Sequence, residues 1–199
     1  MTPWFFYLFS PKPTNAAPSS YPFQVRAATV ADLTPISQII AQSFHSQKGF
    51  WGWFFPFMRL GIYEDLRHRL ASPAPHHVCL VAIDTTPGAN NALVGTVEIA
   101  LRFNDWTQIN KSFPYLSNLA VHPQYRRQGA ASVLLKACEQ ITHDWGFQDL
   151  YLHVLENNSQ ARQLYFKQGY RVHKVESTWQ NFIWRNSRQI LLHKHLLKR

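Results

Sequence analysis

Apolar residues recur along this chain at two periods, and each change of period marks an element. Phe23 to Ala27 reads as a short strand. Thr29 and Asp32 offer a capping box, after which Leu33, Ile36, Ile39, Ile40 and Phe44 follow at helical spacing. Ile62 to Leu70 reads as a second helix through Ile62, Leu66 and Leu70. His77 to Ile83 and Ala92 to Arg102 read as strands around a turn at 85–91 containing Pro87-Gly88, and Tyr115 to Val121 as another strand. From about Gly129 to His143, a stripe of Ala130, Val133, Leu134, Ala137, Cys138 and Ile141 predicts a third helix, with Gly146 at its exit. Asp149 to Leu155 reads as a strand and Asn158 to Gln168 as a helix ending at Gly169. Tyr170 to Glu176 and Gln189 to His195 close as strands. The order β-α-α-β-β-β-α-β-α-β-β predicts a mixed α/β sheet with helices on both faces.

Residues 10–22 break the pattern, holding Pro11, Pro13, Pro18 and Pro22 among Ser, Thr and Asn. That is linker composition, so one domain is expected over 23–199 behind an extension at 1–22. The extension opens with Trp4 to Phe9, apolar but short and without a basic region before it. It is expected to pack on its own domain or to stay disordered, with a docking arm as the functional alternative. No apolar run approaches the ~20 residues of a membrane span. Residues 1–20 contain no Arg and one Lys, unlike a transit peptide. Cys79 and Cys138, each in an apolar pattern, read as buried reduced thiols, so a cytoplasmic setting is expected.

Charge narrows the partners. Lys and Arg outnumber Asp and Glu by 20 to 11, a formal net charge of +9 that suits an anionic ligand. The segment Arg126-Arg127-Gln128-Gly129-Ala130-Ala131 lies between a strand and an amphipathic helix. A helix start presents unpaired N–H groups and partial positive charge. Small residues there let a pyrophosphate approach the backbone.

A wider stretch carries a resemblance. It comprises Leu119-Ala120-Val121-His122-Pro123-Gln124-Tyr125 leading into that turn, then Asn158-Ser159-Gln160-Ala161, then Leu164-Tyr165-Phe166-Lys167-Gln168-Gly169-Tyr170. Together these resemble the GNAT superfamily of N-acetyltransferases. They match its R/Q-x-x-G-x-G/A turn at Arg126, Gly129 and Ala131, and its N-x-x-A…L-Y-x-x-x-G-F/Y segment. The resemblance implies a mostly antiparallel sheet of about six to seven strands and acetyl-CoA as cosubstrate. It implies that the strand at Leu119, Ala120 and Val121 lies along the pantetheine arm. Arg126 to Ala131 would hold the pyrophosphate, Asn158 would contact the cofactor, and Tyr165 would lie near the thioester sulfur.

Acetyl transfer to an amine needs a neutral amine, a stabilised oxyanion and a proton for the departing thiolate. At pH 7, deprotonation costs roughly 1 kcal/mol for an α-amine and about 4.6 for Lys. A base therefore helps both acceptors, and Lys more. His153 sits mid-strand, sharing a face with Tyr151 and Leu155. Read alone, it is more commonly a core histidine hydrogen-bonded to backbone. Tyr151-Leu152-His153-Val154 resembles the catalytic strand of eukaryotic N-terminal acetyltransferases within GNAT, where a His acts with a Tyr. That Tyr lies ten residues before the aromatic residue preceding the Arg pair, as Tyr115 lies before Tyr125. The resemblance thus implies Tyr115 and His153 as a base pair, and Tyr165 as proton donor to the thiolate. Glu98, in Val97-Glu98-Ile99, is a rival base, or faces solvent or pairs with Arg102.

Phe50 to Phe57 holds six aromatics in eight residues and reads as an acceptor lip or a collapsed loop. It contains no Arg or Lys, against the interleaving that nucleic-acid binding needs. Tyr63 to Leu70 and Tyr115 to Leu119 also resemble the cyanobacterial and plastid branch of GNAT enzymes. His193-Lys194-His195 is weak as a metal motif. The expected acceptor is a protein α-amine, a lysine or both. A small arylalkylamine is the alternative, as is a non-catalytic acyl-CoA-binding module. No nucleic acid is expected as partner, and the chain is expected to be a monomer or homodimer.

Overall fold

The computed structural model describes residues 22–45, 61, 63–69, 74–103, 112–176 and 188–197. The N-terminal extension and the aromatic run Phe50 to Phe57 lie outside these. Strands β1 (Phe23–Ala27), β2 (His77–Asp84), β3 (Leu93–Phe103), β4 (Ser112–Val121), β5 (Asp149–Leu155), β6 (Arg171–Glu176) and β7 (Gln189–His195) form one open sheet. Their order is β1-β2-β3-β4-β5-β7-β6. Every neighbouring pair is antiparallel except β4 and β5, which run parallel. The helices are α1 (Leu33–His45), α2 (residues 63–69), α3 (Ala130–Asp144) and α4 (Ser159–Lys167).

Alternation along β2 shows how the sheet serves two cores. Leu80 and Ala82 pack with α3 residues Val133, Leu134, Leu135 and Cys138, and with Val97, Ile99, Leu116, Leu150 and Leu152. Cys79 and Val81 point the other way, to Leu33, Ile36, Ile39 and Ile40 of α1 and Leu66 of α2. Of the predicted stripe of α3, Ala130, Val133, Leu134 and Cys138 are buried and Ala137 and Ile141 partly so, with Leu135 and Thr142 buried beside them. Entry into α1 is held by Arg26, whose Nη1 and Nη2 donate to the Asp32 carboxylate at 2.7 and 2.8 Å. The Thr29 N–H donates to the same group at 2.8 Å, the expected cap, here leading a short 3-10 turn into the helix.

One irregularity shapes the centre of the sheet. Asn118 has φ 53°, and the β3–β4 register shifts beside it, between Thr96 and Glu98. Before it, Leu116 faces α3; after it, Leu119 and Val121 face the same side. One extra residue has reversed the alternation, as a β-bulge does.

Candidate active site

The parallel ladder is short: Tyr115 pairs with Tyr151 and Leu116 with Leu152. From Ser117 on, β4 follows β3, with Thr96 opposite Ala120 and Gly95 opposite Val121. Its other edge, at Leu119 to Val121, faces the gap toward β5. Gly95 permits this close course, since a Cβ there would lie 3.1 Å from the Ala120 carbonyl oxygen and 3.2 Å from Leu134 Cδ1.

At the end of β4 the chain makes a 3-10 turn, Pro123–Tyr125, and then the turn 126–129 into α3. Gly129 caps the helix with φ 98°, a conformation open to glycine at little cost. Its carbonyl accepts from Ser132 and Val133 N–H at 2.9 and 3.1 Å. The N–H groups of Ala130 and Ala131 have no earlier helical residue to donate to, so they form an anion-accepting terminus. Arg127 also has positive φ, 65°. Arg126 Nε donates to the Val121 carbonyl at 3.3 Å, and Gln128 Nε2 to that of Gln124 at 2.8 Å. Asn158 caps α4, its Oδ1 accepting from Ala161 N–H at 3.1 Å.

Tyr115 and His153 meet across the β4–β5 junction. The Tyr115 hydroxyl lies 2.8 Å from His153 Nδ1. Thirty-eight positions separate them in the chain, and parallel pairing brings them together on the face opposite Leu116 and Leu152. Tyr115 is buried. The Arg102 guanidinium carbon stands 3.7 Å from its ring centroid, a cation–π contact. Tyr165, on α4, is buried in the α3-side core, its ring meeting that of Tyr170 edge-on. Burial pushes its phenol well above the usual range, and the nearby Tyr115 and Cys138 add to this. It therefore holds its proton at neutral pH.

Glu98 departs from expectation. It neither faces solvent nor pairs with Arg102, which stacks on Tyr115 instead. Its carboxylate is 1% exposed on the α1–α2 face. Arg69 Nη1 lies at 2.7 Å, Asn118 Nδ2 at 3.0 Å and His77 Nε2 at 3.4 Å. Burial alone would raise its pKa. Hydrogen bonds from His77 and Asn118 and the charge of Arg69 outweigh that and hold it below the usual carboxylate range. Sequence reasoning missed Arg69, Asn118 and Arg102. The one local signal was the polar pair Ser117-Asn118 interrupting an apolar strand. Further along the sheet, His193 and His195 share one Asp149 oxygen, at 2.7 and 2.9 Å. Among the described residues no cluster is suited to hold a metal.

A seven-stranded mixed sheet split between its parallel pair, with helices on both faces, is the architecture of N-acetyltransferases. The family model described as the acetyltransferase (GNAT) family matches residues 39–170, and the chain belongs to that family. It is 30% identical over 174 residues to GCN5-related N-acetyltransferase 10, chloroplastic, of Arabidopsis thaliana. That match covers 82% of this chain and 67% of the relative. It is 32% identical to the thialysine N-epsilon-acetyltransferase of Sus scrofa, over 60% of this chain and 70% of that protein. Among solved structures, Arabidopsis thaliana NAA60 in complex with a bisubstrate analogue shares the fold. The TM-score is 0.62 at 18% identity, over 88% of this chain and 99% of that one. No described helix is long and apolar enough to cross a membrane.

Proposed function

We propose that this enzyme transfers the acetyl group of acetyl-CoA to a protein α-amine, with a lysine side chain as second acceptor. The observation that carries the reading is the 2.8 Å contact between the Tyr115 hydroxyl and His153 Nδ1. Tyr115 lies in the first half of β4, and the turn into α3 follows the strand's far end. From Tyr115 to Val121 the strand spans roughly 20 Å at about 3.3 Å per residue. A donor whose phosphates and reactive end are similarly far apart fits that separation, and acetyl-CoA is such a donor. It supplies an activated thioester carbonyl.

The chain's own residues then divide the work. Arg126, Arg127, Gln128, Gly129, Ala130 and Ala131 receive the pyrophosphate. The open edge of β4 at Leu119, Ala120 and Val121 receives the pantetheine arm. Asn158 touches the cofactor while capping α4. Tyr115 oxygen takes the amine proton, directly or through water, as its own proton passes to His153 Nδ1. The amine nitrogen bonds to the acetyl carbon, the carbon–sulfur bond breaks, and Tyr165 gives its proton to the sulfur. As the products leave, His153 releases the proton it took and Tyr165 regains one, both by exchange with water.

The preference for an α-amine rests on the Tyr115–His153 pairing and on the smaller deprotonation energy, roughly 1 against 4.6 kcal/mol at pH 7. The likeness to thialysine N-epsilon-acetyltransferase supports an ε-amine as the second acceptor. Cys79 and Cys138 are buried free thiols, which suits a reducing compartment such as the cytoplasm. The chloroplastic names of the plant relatives favour a plastid-type compartment as the alternative.

Mass spectrometry of the proteins acetylated when the enzyme is expressed in a bacterial host tests the acceptor without guessing it. New acetylation at protein N-termini is expected with the wild type and absent with His153→Ala. Acetylation confined to small amines, with no protein signal above the variant, would overturn the reading.

A further inference from the structure

Glu98 receives donors from three separate elements: Arg69 from α2, His77 from the start of β2 and Asn118 from β4. A carboxylate so placed, almost wholly buried and held below the usual range, is a poor proton acceptor. Its bond to Asn118 carries more information. Asn118 occupies the left-handed region, φ 53°. Non-glycine residues avoid that region, and asparagine enters it most readily when its side chain is hydrogen-bonded nearby. Glu98 Oε1 supplies that bond at 3.0 Å. Asn118 is also where the alternation of β4 reverses and where the strand has just left β5, the last paired residues being Leu116 and Leu152. The second carboxylate oxygen holds Arg69, so the same group ties α2 to the bulge.

The geometry points to Glu98 as a positioning residue. It locks the Asn118 bulge, thereby setting the opening between β4 and β5, and fastens α2 beside that opening. The inference rests on the reading of this opening as the acetyl-CoA cleft. Loss of the clamp is therefore expected to weaken donor binding rather than to stop proton transfer.

Calorimetric titration of acetyl-CoA, with steady-state kinetics across pH, would test it on Glu98→Gln, Asn118→Gly and the double variant. Glu98→Gln is expected to weaken acetyl-CoA binding about tenfold, of the order of one lost charge-assisted hydrogen bond. Its kcat should change by less than about threefold, a scale set against the 10²–10⁴ contributed by a general base, and its pH–rate limbs should stay in place. Glycine adopts the left-handed region freely, so Asn118→Gly keeps its affinity, and Glu98→Gln adds little in that background. A collapse of kcat with unchanged acetyl-CoA affinity would make Glu98 the base and overturn the proposal. Additive losses in the double variant would remove the bulge as the route. Should Glu98→Gln fail to fold, Asn118→Ala set against Asn118→Gly decides the matter: equal affinities would overturn it. A wild-type enzyme that binds no acetyl-CoA would instead bring down the cleft assignment itself.

Discussion

On the α3 side of the sheet, the inward positions include Leu80, Val97, Ile99, Leu116, Leu150, Leu152 and Leu192, closed by Val133, Leu134 and Cys138 of α3. On the α1 side, the same strands present Glu98, Tyr115, His153 and His193. Both faces read as ordinary alternation in the sequence. They differ in what burial demands. An apolar side chain is stabilised by almost any apolar neighbour of fitting shape. A buried polar group needs a named partner at hydrogen-bonding distance, or it destabilises the fold. The α1 side meets that demand with partners brought from elsewhere in the fold: Glu98 with Asn118 of β4 and Arg69 of α2, and Tyr115 with His153 across the strands. The partly buried His193 meets Asp149 in the same way. One face thus holds the sheet together, and the other spends some apolar burial on groups that can exchange protons and bind charge.

Substitutions on the two faces should separate stability from turnover. The largest effect is expected on the polar face. Tyr115→Phe and His153→Ala should each lower turnover about 100-fold or more, the scale of general acid–base catalysis. Acetyl-CoA binding by calorimetry should move little, and the loss of stability should stay near the ~1 kcal/mol of one hydrogen bond. Peptide acetylation that survives both changes would remove the pair from the chemistry. On the apolar face, Leu150→Ala should destabilise by about 2–5 kcal/mol in urea denaturation, through lost transfer energy and the cavity left behind. Its turnover per folded molecule should be unchanged. A fall in kcat without a fall in stability would break the division between the faces.

The smallest effect concerns the entry to α1. Two hydrogen bonds from Arg26 outweigh burial and hold the Asp32 carboxyl at about 2. Its folded-state pKa is depressed, so its contribution to stability is present above the unfolded value near 3.9 and is lost as pH falls toward 2. Asp32→Asn should therefore cost ~1–2 kcal/mol at pH 7, discounted for the partly exposed Arg26. The gap to the wild type should close between pH 4 and about 2. A gap that persists at pH 2 would mean that the pair acts through shape rather than charge.

Much of this molecule was legible from short spacing. The helical stripe of α3, the cap at Thr29 and Asp32, and the succession of elements along the chain all follow from residues within a few positions of one another. So does Gly129 at the start of α3, because local sterics alone require a residue tolerant of positive φ there. The seven strands pair in the architecture expected, although β4 begins at Ser112, earlier than its apolar pattern predicts. Tyr115 and His153 could be singled out as a pair only through resemblance to a family, since neither carries a local sign of the other.

Glu98 marks the boundary of that legibility. Its neighbours Val97 and Ile99 identify a strand and place the carboxylate on the opposite face. They do not say whether that face is wet or dry. Its partners Arg69, His77 and Asn118 lie 29, 21 and 20 positions away. Each reaches it through a different element. Sequence by itself determined the elements, because their period and capping depend on neighbours along the chain. Tertiary structure alone decided which polar groups meet, because a hydrogen bond requires about 3 Å in space and is indifferent to separation along the chain.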